Sequence, residues 1–188
     1  MAASHQCEQE QLAAGYAVLA ACWRQPTAEL VQTANAGELP FTKDFEDIRL
    51  EDLSKEHTRL FVGPSGPPCP PYESVYRDRE GGEFGKVLGP TTRAVVKWYE
   101  THDLGLDPEW PDMPDHIGTE LEFLSYLTAE GEEEAAEQFL QEHPQMWFGE
   151  FLTAVREESR EPFYRALAEA TAVATGVSLE REPDKPTR

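Results

Sequence analysis

Residues 63–71 read GPSGPPCPP, five prolines and two glycines in nine positions. Proline fixes φ and carries no amide hydrogen, so this run belongs neither inside an α-helix nor in a central strand. It must be a stiff, extended, turn-rich segment, and it divides the chain into a block before it and a block after it. Phe61 stands on one side of the run, Tyr72 and Tyr76 on the other. A rigid loop with rings at both ends suits holding a ligand or peptide. The same composition also fits a rigid interhelical connector.

Both flanking blocks carry a helical apolar period. Leu12, Tyr16, Leu19 and Trp23 step by four, three and four onto one face of a first helix, which Pro26 ends. A short helix is expected over 27–36, a loop over 37–42, and a helix over 50–61 with Leu53, His57, Leu60 and Phe61 on one side. After the proline run, helices are expected from Pro90 to about Gly105, Pro114 to Ala129, Glu132 to His143, Trp147 to Glu158 and Pro162 to Thr175. Pro162 suits a first helical position and Gly176 a C-terminal cap. No strand-like alternation and no internal repeat is present. The expectation is an all-α fold, a compact globule of seven to nine helices with mostly antiparallel neighbours. It forms one domain over 1–176, followed by a flexible polar tail over 177–188.

Charge narrows the partners. The chain has 36 acidic against 16 basic residues, a net of −20, and 188 residues in all. Nucleic acid and anionic membranes need Lys and Arg to neutralise phosphate, so neither is an expected partner. The acidity either attracts a basic peptide or solvates the surface in a very salty cytoplasm. Its even spread and the scarcity of Lys favour solvation. At molar salt the Debye length is only ~3 Å, and recognition then rests on short contacts and apolar burial. Cys7, Cys22 and Cys69 form no CxxC pair and read as free thiols, with Cys22 a small core residue. No apolar run approaches the ~20 residues of a membrane span. The first residues lack a signal-peptide pattern, so a cytoplasmic location is expected.

Familiar catalytic patterns are missing: no HExxH, no GxSxG and no GxxxxGK[ST]. The glycine-rich stretch 81–89 has the wrong spacing for a phosphate loop. His5, His57, His102, His116 and His143 show no ligand spacing, and neither metal nor cofactor is expected. Asp115 and His116 stand out, following Pro114 at an expected helix start. Asp there can cap free amides and oppose the helix dipole. With a neutral His116, an exposed carboxylate could also accept from a guanidinium or serve in an acid–base pair.

LFVGPSGPPCPPYESVYRDRE at 60–80, with PDHIGTELEFL from Pro114 and EPFYRALAEATAVATG near the end, resembles the TorD/DmsD family of redox-enzyme maturation chaperones, which is related to the NarJ proteins. The resemblance runs from about Leu12 to Gly176. It implies an all-helical cytoplasmic chaperone and no enzyme. Such a chaperone binds the twin-arginine signal peptide of a molybdopterin oxidoreductase of dimethyl sulfoxide, trimethylamine N-oxide or nitrate reductase type. It holds the apoenzyme for cofactor insertion and prevents premature export. The implied peptide site is Tyr16, Leu60, Phe61, Tyr72, Arg79, Asp115 and His116. Tyr72 stands where DmsD-like members carry Trp. From the residues themselves, Asp115 would take the arginines, and Leu60, Phe61, Tyr72 and Tyr76 would form an apolar groove. The rival readings are a small acid–base enzyme using Asp115 and His116, and an acidic helical adaptor. A monomer or a dimer that swaps helices through 107–112 is compatible with the hinge there.

Overall fold

Helix-ending residues cut the periodic pattern near most of the expected places; the helix expected from Trp147 starts at Pro144, the one expected to reach about Gly105 ends at Thr101, and three further departures flank the proline run. The protein is described by a computed structural model over residues 2–45, 47–63, 66–80, 84–105 and 113–179. Its α-helices in order are α1 (Ala2–Trp23), α2 (Ala28–Asn35), α3 (Leu50–His57), α4 (Glu73–Arg77), α5 (Pro90–Thr101), α6 (Ile117–Ala129), α7 (Glu133–Glu142), α8 (Pro144–Glu158) and α9 (Pro162–Thr175). Among the described residues there is no strand, only an isolated antiparallel bridge between Tyr72 and His116. The all-α expectation holds. The swapping hinge over 107–112 and residues 180–188 of the expected tail lie outside the described residues.

Local chemistry accounts for most boundaries. Thr27 caps α2 by accepting from the Leu30 amide at 3.2 Å, as a side-chain oxygen at that position should. Gly176 closes α9 in the left-handed region, at φ 66°, where a Cβ would be strained. The departures beside the proline run have tertiary causes. Sequence reasoning has α6 begin at Pro114, whereas it begins at Ile117. His116 is extended, at φ −76° and ψ 139°, because it pairs with Tyr72. The five-residue α4 was not expected at all. The expected helix over 50–61 is present but widens into a π-helical turn at Thr58–Val62, with the Gly63 amide bonding Thr58 O at 2.8 Å. The Cys69 amide then bonds Leu60 O at 3.0 Å and folds the proline run back onto that turn.

α1 lies along α6, α8 along α9, and α9 returns to α1. Trp23, Phe61, Phe151 and Tyr164 meet at the centre. Trp23 lies 5.1 Å from Phe151 and 5.9 Å from Phe61 between ring centroids, and Phe61 lies 5.4 Å from Tyr164. These tilted and edge-on rings are the favoured aromatic geometries. Cys22 is buried as expected, and burial pushes its thiol up to about 12. Leu12 departs from its expected inward place. It is 44% exposed, at the edge of a hollow that it lines with Tyr16, Leu124 and Leu140.

The close approach of α1 and α6 depends on Gly118. A Cβ there would lie 3.1 Å from both Ala20 O and His116 Nδ1. Ala20 O is backbone and cannot swing away. Gly118→Val is therefore expected to lower the free energy of unfolding by about 1–3 kcal/mol through overpacking. Urea denaturation checks this, and an unchanged midpoint would show that α1 and α6 are not held so tightly.

Candidate functional site

The site is built where the proline run meets the start of α6. Proline cannot donate, so the segment is fastened through its carbonyls and the first amides after it. The Ile117 amide donates to Pro71 O at 3.0 Å, and the Glu73 amide to Asp115 O at 2.9 Å. Tyr72 is thus held extended beside His116, with the two rings edge-on at 5.5 Å. His116 caps α6, its Nδ1 accepting from the Gly118 amide at 3.0 Å. That acceptor role requires the ring nitrogen to be unprotonated.

Tyr72, His116 and Phe61 line one cleft of about 750 Å³, within the range of pre-formed ligand sites. Pro71 and the exposed Val62 share its wall, and His57 lies beside Phe61, their rings 5.1 Å apart. The other wall comes from the junction of α1 and α2, with Val18, Ala21, Arg24, Glu29 and Leu30. Sequence reasoning missed this second wall. Val18 and Ala21 lie three apart on the face of α1 opposite its core stripe, and that weak spacing is the only signal they give.

The other expected site residues lie elsewhere. Asp115 was expected as an exposed carboxylate but is wholly buried. Its Oδ2 accepts from the Ser74 amide at 2.9 Å, so it caps α4 and does not line the cleft. Leu60 is fully buried beneath the π turn. Tyr76 packs on Trp147, the centroids 5.4 Å apart. Arg79 lies over the Tyr76 ring at 5.4 Å and pairs with Glu150 at 2.6 Å. Tyr16 donates to Ala174 O at 3.2 Å and borders a separate hollow with Leu12, Leu124 and Leu140. Among the described residues no cluster of three or more His, Cys, Asp or Glu could hold a metal. None of their helices is long and apolar enough to cross a membrane.

A buried polar knot supports the cleft from behind. Glu73 of α4 receives Arg77 and His143 Nδ1, the latter at 2.9 Å. Glu120 of α6 accepts from Trp147 Nε1 at 3.0 Å. Its other oxygen, Oε1, has no donor, and its carboxyl faces that of Glu73. Burial first, and then the Glu73 charge, hold the Glu120 carboxyl well above the usual carboxylate range. Burial likewise raises Tyr99, whose hydroxyl donates to Pro114 O at 2.8 Å, and the Glu120 charge adds to the effect.

The all-α scaffold thus holds a stiff, ring-lined cleft against the start of α6. Comparison with known proteins gives the family. Residues 17–153 match the family model described as nitrate reductase delta subunit, and the chain belongs to that family, which includes the TorD and DmsD proteins. It is 32% identical over 130 residues to the Tat proofreading chaperone DmsD of Salmonella paratyphi A, a match covering 69% of this chain and 62% of that one. It is 24% identical over 136 residues to the chaperone protein TorD of Shewanella loihica, covering 72% and 64%. The chain thus spans somewhat less than two thirds of the length of these curated relatives. A crystal structure described as a redox enzyme maturation protein from Archaeoglobus fulgidus is similar at a TM-score of 0.59 and 25% identity, covering 86% of this chain and 91% of that one.

The raised Glu120 carboxyl makes stability depend on pH with a definite sign. Its folded pKa is raised above an unfolded value of about 4.3. The stability it contributes is therefore complete below that value and is lost as pH rises toward the folded one. Glu120→Gln keeps an acceptor for Trp147 and a donor toward Glu73 but cannot ionise. Its denaturation midpoint should rise relative to the unaltered protein between about pH 5 and about pH 8. Parallel curves across that range would show that Glu120 carries no shifted proton.

Proposed function

We propose that this chain is a cytoplasmic chaperone whose cleft binds the twin-arginine leader of a molybdopterin oxidoreductase. It holds the apoenzyme while cofactor is inserted and delays its export. The observation that carries this reading is the shared cleft of Phe61, Tyr72 and His116, in a chain whose relatives include Tat proofreading chaperones. A leader of this kind joins a basic n-region to an apolar stretch. The rings, Val62 and Pro71 offer an apolar wall to the second part. The net charge of −20 favours approach of the first. Because residues 71–74 are fastened to α6 before any peptide arrives, little ordering remains for binding to drive.

The acid–base reading lacks support in the geometry. Asp115 caps α4 and His116 caps α6, so each group already serves a helix end. An adaptor that works through its acidic face alone would lose its partner as salt rises, whereas burial in an apolar cleft withstands salt.

Fluorescence anisotropy with a labelled twin-arginine peptide tests the proposal. Binding should persist at about 1 M NaCl. Val62→Glu, at a position 61% exposed, should weaken it about tenfold or more by placing a charge in the apolar wall. Tyr72→Ala should weaken it to a similar degree. Binding that vanishes in salt and ignores both substitutions would exclude the cleft.

A further inference from the structure

Charge is sparse around the cleft. Among the described residues that line it, Glu29 is the sole carboxylate and Arg24 the sole fixed cation. Arg24 is already paired, its Nη1 2.6 Å from Glu122. Glu29 is exposed and has no ion-pair or hydrogen-bond partner among the described residues. It is also not needed to start its helix, since Thr27 does that.

We propose that Glu29 is the residue that reads an arginine of the bound leader, and that Asp115 is a positioning residue for the opposite wall. This rests on the reading of the cleft as a leader site. A guanidinium needs a carboxylate with open lone pairs. Glu29 lines the cleft and is exposed. Asp115 has no exposed surface and holds the Ser74 amide. It is absent from the cleft lining, where its neighbour His116 stands instead. The arginine pair therefore docks at the α1–α2 junction, and the apolar stretch follows along Phe61, Val62 and Tyr72.

Two labelled peptides separate the roles. Both carry an apolar stretch of about twelve residues; one has two consecutive arginines before it and the other two glutamines. The readout is the ratio of their affinities. Glu29→Gln should reduce the preference for the arginine peptide about tenfold, the loss of a charge-assisted pair, and leave the glutamine peptide's affinity as it was. Asp115→Asn should weaken both peptides by the same factor and keep the ratio. An unchanged ratio in Glu29→Gln overturns the inference. So does a collapse of the ratio in Asp115→Asn, or in Glu122→Gln, which would place the arginine on another carboxylate. If the unaltered protein binds neither peptide, the leader-site reading itself fails, and that result is visible before any variant is compared.

Discussion

The short antiparallel pairing of Tyr72 with His116 is the contact on which the rest of the site depends. A proline-rich segment can offer carbonyls but few amides, so it cannot be knitted into a helix or sheet along its length. It is fastened by the Cys69 amide to Leu60 O and, at its end, by Pro71 O, the Glu73 amide and the Ser74 amide to residues 115–117. Those few bonds delay the start of α6, make His116 its cap, start α4 and turn the Tyr72 ring toward the cleft. A loop that would otherwise be an entropic liability becomes a wall.

The acidic character of the chain has two layers. On the surface, carboxylates are dispersed and mostly solvated. Inside, Glu73, Asp115 and Glu120 are all buried, and each survives there by a different device. Glu73 has cationic and imidazole partners, Asp115 holds a backbone amide, and Glu120 accepts from Trp147 while burial holds its carboxyl well above the usual carboxylate range. Burial of a carboxylate without such a device is strongly unfavourable. The three join α4, α6, α7 and α8 behind the cleft, so the polar knot fixes the geometry that the apolar rings alone would leave loose.

How far the site could be read from sequence differs residue by residue. Phe61, Tyr72 and His116 were legible because they flank unusual local chemistry, a proline run and a residue pair at a helix start. Tyr76 and Arg79 lie just as near the proline run, but α4 turns them toward Trp147 and Glu150. Tyr16 sits on the inner stripe of α1, away from the cleft, and Leu60 points beneath the π turn. Val18, Ala21 and Glu29 had no local mark, because their place in the cleft wall depends on α1 and α2 facing a segment some forty residues further along.

Helix content, most helix ends and the stiffness of residues 63–71 were determined by the sequence itself, since periodicity, capping and the missing proline amide act within a few residues. Only the tertiary structure decided which carboxylate is exposed and which is buried. Asp115 and Glu29 both stand beside a helix start, and nothing nearby in the chain tells them apart. Burial separates them, and burial is set by neighbours that arrive from distant parts of the chain.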